Sequence, residues 1–188
     1  MKRAIGAVAM IVAAGFVAPG CLSRAVKEGF GTVRGAKGVY APVMPLAPSK
    51  TDKVLASYAH FELGTFTDDF GGRTPPRLVR VLPTEFEKEL AVKKLPSGPG
   101  GKTLLVRGRI LYYEEEGLMG LAFGDFEEVL ARVEFVDKAS NKVLGVYDCV
   151  GRTTESVNRG VEKKAEGLAK AMVAVISDYY PKREKDGD

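Results

Sequence analysis

Between Lys102 and Arg152 the chain alternates apolar and polar residues along three stretches. That alternation commits it to a sheet with one buried face. In the first stretch, Lys102 to Glu115, Leu104, Val106, Ile110 and Tyr112 share one face, and Arg107, Arg109 and Tyr113 share the other. In the second, Glu127 to Asp137, Val129, Ala131, Val133 and Phe135 point inward. Lys138 to Lys142 supplies a turn, and Val143 to Arg152 returns as the hairpin partner. A sheet that is apolar on one side needs a cover. Val161 to Tyr180 provides it: Val161, Ala165, Leu168, Met172, Ile176 and Tyr179 form an apolar stripe at helical spacing, and Pro181 ends the helix.

The upstream half is less regular. Val54 to Thr67 reads as a strand with Phe61, Leu63 and Thr65 on one face and His60, Glu62 and Gly64 on the other. Leu78, Val81, Leu82, Phe86 and Leu90 fall at helical spacing, but Pro83 interrupts them. Thr84 and Glu87 form a capping box, so a helix is predicted from about Glu85 to Lys94, and Leu78 to Leu82 is open between helix and strand. The expected fold class is α+β: a mostly antiparallel sheet of about four strands with two helices packed on one face. It forms a single domain over residues 54–181, followed by a disordered charged tail, 182–188. Residues 21–53, rich in Gly and Pro, read as an extended tether. The alternative is that Val39 to Leu46 packs onto the domain as an edge strand.

The first residues carry an address. Lys2 and Arg3 make a positive start, and Ala4 to Ala18 an apolar stretch shorter than the ~20 residues that cross a bilayer. Pro19, Gly20 and Cys21 follow. Small residues just before a cysteine resemble the lipobox of bacterial lipoproteins. That resemblance implies a signal peptide over residues 1–20, lipid on the Cys21 thiol and acylation, palmitate included, of the new amine. Ala18 stands where the family favours Leu, and Pro19 is unusual. Ordinary secretion with a free or disulfide-bonded Cys21, and an uncleaved anchor, are the alternatives. Leu22 rather than Asp follows the cysteine, which favours the outer membrane, facing the periplasm, if the cell has two membranes.

Composition narrows the partners. The formal charge is +4, and without Lys2 and Arg3 it is +2. That is too little for a nucleic-acid interface, which needs a dense basic face. The two cysteines are Cys21 and Cys149; the second sits in an apolar run and reads as a core residue. A bridge between the two is open in an oxidising compartment.

Val106, Gly108 and Ile110, then Val136, Asp137, Ser140, Asn141, Lys142, Val143, Leu144 and Gly145, then an alanine-rich helix, form a recurrent pattern. It resembles the domain-of-unknown-function lipoproteins of bacterial envelopes. It is similar, more distantly, to the periplasmic α/β domains of curli-secretion and penicillin-binding-protein-activator lipoproteins. The resemblance implies an assembly or partner-binding module and transfers no catalytic residues.

The chemistry in the chain is sparse. His60 is the single histidine, on the polar side of its strand, so a nucleophile-histidine scheme has one candidate and a zinc site lacks ligands. Gly101-Lys102-Thr103 resembles the end of a phosphate loop, but Pro96 stands where its first glycine belongs and a strand follows. Glu114, Glu115 and Glu116 face Asp125, Glu127 and Glu128 across GLMGLAFGD, a pattern open to calcium or to carboxylate chemistry on glycans. Successive carboxylates on a strand point to opposite faces, which favours a solvated hairpin end. Arg107, Arg109 and Arg132 make a cationic patch on the open face unless they pair across strands with Glu134 and similar acids, which is the alternative reading. Leu118, Met119, Leu121 and Phe123 add apolar candidates for contact.

The expected function is therefore a non-catalytic, lipid-anchored envelope module. It binds the membrane through Cys21 and an envelope protein or cell-wall polymer through Arg107, Arg109, Arg132, Leu118, Met119 and Phe123, with no cofactor, metal or nucleic acid. The alternatives are a carboxylate-dependent hydrolase using Glu115, Asp125 or Glu127, and a ring-forming structural subunit.

Overall fold

The computed structural model describes residues 36–96, 100–114, 127–153 and 160–181, with Glu127 described in its backbone alone. Five strands form one sheet. In chain order they are β1 (Lys37–Met44), β2 (Tyr58–Asp68), β3 (Lys102–Tyr113), β4 (Glu127–Asp137) and β5 (Lys142–Thr153). Helix α1 (Pro76–Val92) lies between β2 and β3, and α2 (Val161–Tyr179) follows β5. The spatial order is β1-β5-β4-β3-β2. β2 and β3 run parallel, because α1 carries the chain back across the sheet between them; the other three pairings are antiparallel. This is the α+β fold that the alternation predicts, with a fifth strand.

The extra strand is β1. It comes from the stretch read as tether and pairs with β5, Val39 opposite Val150, so the edge-strand alternative is the one realised. β1 and the chain after it are bound to the end of α2. Tyr40 Oη donates to Asp178, Lys50 Nζ lies 2.5 Å from the same carboxylate, Lys53 Nζ donates to the Asp178 carbonyl at 2.7 Å, and Leu55 N–H donates to the Tyr179 carbonyl at 3.2 Å. Two lysines and an amide thus meet the carbonyl end of a helix, where positive charge is favoured. The Asp178 carboxyl is drawn below its usual range against its partial burial, by Lys50 first and then Tyr40.

The covered face holds Leu104, Val106, Ile110, Val129, Ala131, Val133, Phe135 and Cys149, all at 0% exposure. α2 buries more than its predicted stripe: Ala169, Ala171, Val173 and Val175 are also buried, because the helix packs on β1, β5 and β4 and against α1. Its approach is backbone-close. A Cβ at Gly38 would stand 2.2 Å from the Ala171 nitrogen, and one at Gly151 would stand 2.4 Å from the Leu168 nitrogen.

The predicted break at Pro83 does not occur. α1 runs unbroken from Pro76, a residue suited to a first helical position, and Leu78 to Leu82 is helix. The Thr84–Glu87 box lies inside it and caps nothing. An internal proline costs about 3 kcal/mol. Leu78, Leu82 and Phe86, each at 1% exposure or less, contribute roughly 1.5–3 kcal/mol apiece by burial, which outweighs that cost.

Two predicted strand faces change where the register slips. Between Ile110 and Tyr112 a bulge turns Tyr113 inward to 5% exposure and Tyr112 outward to 37%. A second, between Leu63 and Phe66, places Phe66 in the core and leaves Thr65 exposed. Cys149 is a free thiol in the core, and burial pushes its pKa up, which keeps it protonated and inert.

Candidate functional site: the open face of the sheet

Among the described residues no helix covers the second face of the sheet. Four strands contribute successive rows to it. One row is apolar and runs Tyr112, Leu130, Val150, Val39, each opposite the next. Val39 is 45% exposed at its outer end. At the other end the Phe70 ring meets Tyr112 edge-on at 5.3 Å, and the Arg73 guanidinium lies 3.9 Å over the Phe70 ring. The loop that carries Phe70 is held by Asp68, whose carboxylate accepts from the Phe70 and Thr74 amides and the Thr74 hydroxyl. Burial raises the Asp68 pKa, but the Thr74 hydroxyl and these amides bring it below the usual range.

Charged rows flank the apolar one. On one side Glu128 lies opposite Arg152, with Arg152 Nε 3.1 Å from the carboxylate. On the other side Arg109 lies directly opposite Arg132, a like-charge pairing that is unfavourable by itself. Each finds an acid. Arg132 engages Asp148 through Nε at 2.8 Å and a second nitrogen at 3.0 Å, which raises its pKa, and Arg109 reaches Asp69 at 3.1 Å. In the next row Arg107 Nε lies 2.9 Å from Glu134. The structure therefore brings Arg107, Arg109 and Arg132 together as the sequence pattern predicts. The alternative of cross-strand pairing with Glu134 and similar acids is the one realised: the face carries a lattice of ion pairs around an apolar row, not a cationic patch.

The remaining candidates divide. Cys21, Leu118, Met119, Leu121, Phe123, Glu115, Glu116 and Asp125 lie outside the described residues, as does the 182–188 tail. Glu114 leaves β3 with its N–H on the Glu128 carbonyl, and its own carbonyl accepts from the buried Lys164. His60 is half-buried on β2, opposite Thr103. Gly101 and Lys102 lead straight into β3, so the phosphate-loop look-alike has no helix behind it. No group of three His, Cys, Asp or Glu side chains able to hold a metal ion occurs among the described residues. No described helix is long and apolar enough to cross a membrane.

No family model matches the chain, and no curated protein does. Among solved structures it is similar to PelC from Paraburkholderia phytofirmans, a dodecamer. A leucine-to-methionine variant of that protein superposes with a TM-score of 0.48 at 12% identity, covering 78% of this chain and 99% of that one. A second crystal form gives 0.46 at 11%, covering 77% and 96%. At that distance the likeness carries no argument about what this chain does.

The apolar row is not legible in the sequence for two reasons. Simple alternation puts Tyr112 on the covered face, and the segment that supplies Val39 is open between tether and edge strand. The signal available was the alternation of Val39, Ala41 and Val43, which marks one strand face.

Proposed function

We propose that this chain is a non-catalytic, lipid-anchored lipoprotein of the cell envelope, and that the open sheet face docks another envelope component. The observation that carries the reading is the row Tyr112, Leu130, Val150 and Val39, framed by ion pairs on both sides. An apolar centre with a polar rim is the anatomy of a protein interface. The paired arginines fit a protein partner better than an anionic polymer, since each guanidinium already has a carboxylate. The rim then sets register and partner choice more than affinity. The anchor rests on the sequence alone: Cys21 after an apolar signal. Lipid on Cys21, with at least two acyl chains, would hold the domain at a membrane stably.

The test is a crosslinking pulldown from intact cells on the native chain, Cys21→Ser and Val39→Glu. One dominant envelope partner, reduced by both substitutions, is expected. Equal recovery with Val39→Glu removes the sheet face from the reading. Incorporation of labelled palmitate into the native chain and into Cys21→Ser alike removes the anchor.

A further inference from the structure

A cleft of about 370 Å³ opens at the end of the sheet where β2, β3 and β5 begin. Met44, at its rim, ends the open-face row of Arg107, Glu134 and Val146. Apolar side chains, Met44, Leu46, Val54, Val143 and Leu144, form part of its walls, and polar surface forms the rest. Met44 and Val54 are 41% and 42% exposed, so two of the more exposed large apolar side chains of the described chain gather here. Lys102 and Lys142 complete the lining. Lys102 is shared with Asp137, 3.7 Å away, and with the Tyr58 ring, 5.7 Å from its Nζ. The Lys142 ammonium has no partner among the described residues.

Several other polar groups of the cleft are already engaged. Leu46 N–H donates to Tyr147 Oη at 3.0 Å, Lys102 N–H to the Ser57 carbonyl at 2.9 Å and Tyr58 N–H to the Leu55 carbonyl at 3.0 Å; Pro45 has no N–H. The Tyr58 hydroxyl donates to Asp137 at 2.8 Å, and its ring is 4% exposed, so it offers no open aromatic surface. A peptide brings an amide at every residue and a glycan a hydroxyl at every carbon, and the groups already engaged offer them no partner. A ligand with one anionic head and an apolar body matches the Lys142 ammonium and the apolar side chains beside it. The volume lies within the range of small-molecule sites.

We propose that this cleft binds an acyl chain bearing an anionic head, with Lys142 and Lys102 pairing the head and Met44, Leu46 and Val54 holding the chain. The ligand's source is either a free fatty acid or the acidic lipid of a membrane.

The test uses the full chain carrying Cys21→Ser, so that it bears no lipid of its own. Dodecanoate, titrated below its micelle concentration, is expected to saturate one site and shift the backbone amide resonances of residues 44–46 and 142–144. Dodecyltrimethylammonium, with the same chain and the opposite charge, is expected to bind at least about tenfold more weakly. Lys142→Glu and Met44→Glu are each expected to weaken dodecanoate about tenfold; both positions are exposed, and Val54→Glu serves if either variant fails to fold. Equal binding of the two amphiphiles by the native chain overturns the proposal, as does dodecanoate binding unaffected by the substitutions. Preference for an acidic peptide over dodecanoate also overturns it. Phosphatidylglycerol vesicles bound in a Lys142-dependent way, against phosphatidylcholine vesicles, assign a membrane source; dodecanoate binding without vesicle binding assigns a free one.

Discussion

The two faces of this sheet are built from the same strands and obey different rules. The covered face is apolar, fully buried and touched by helix backbone at Gly38 and Gly151. The open face is a half-exposed mosaic in which ion pairs flank one apolar row. Close packing makes the first face intolerant of volume change. Solvent makes the second tolerant, because exposed pairs contribute little and exposed side chains have room to move. Conserving stability therefore belongs to one face, and the other is available for recognition.

The comparison breaks first on the covered side. Phe135→Ala should cost about 3–5 kcal/mol in denaturant unfolding, since it removes a fully buried ring that packs edge-on against Tyr147 at 5.5 Å. Gly151→Ala should cost about 3 kcal/mol, because its Cβ would stand 2.5 Å from the Lys164 carbonyl oxygen and force α2 off the sheet. A loss below about 0.5 kcal/mol would show that α2 can ride outward freely, and the contrast between faces would weaken.

A smaller effect depends on pH. The Ser140 amide, the Tyr58 hydroxyl and the Ser140 hydroxyl hold the Asp137 carboxyl down at about 2. A carboxyl depressed in the folded state stabilises the fold above its unfolded pKa and loses that contribution as pH falls toward the folded value. Stability should therefore decline from about pH 4 to about pH 2, and Asp137→Asn should flatten that part of the curve. An unchanged acid limb in Asp137→Asn assigns the decline to other carboxylates, with Asp68 and Asp178, both also depressed, next in line.

The smallest expected change in stability is on the open side. Arg107→Gln should alter unfolding by no more than about 1 kcal/mol, while reducing partner capture in the crosslinking assay. A loss of several kcal/mol would mean that the ion-pair lattice carries structural weight, and the division between the faces would have to be redrawn.

Local pattern determined a good deal of this protein. The inward residues of β4, the 138–142 turn and the helix from Val161 are legible because periods of two and 3.6 residues are set by backbone geometry alone. The three arginines on one face follow from the same arithmetic. Tertiary structure decided the rest. A strand's membership in a sheet depends on a partner distant in sequence, so β1, which pairs with β5 more than a hundred residues later, is open between tether and edge strand in the sequence. A bulge depends on how two strands share their register, so Tyr112 and Tyr113 exchanged faces. Pro83 could remain inside a helix because the burial of Leu78, Leu82 and Phe86 outweighs a local penalty. Whether an arginine is a free charge or half of a pair is a question of distance across strands: Glu134 is a cross-strand candidate from the sequence, and only the folded chain brings Asp69 and Asp148 within reach.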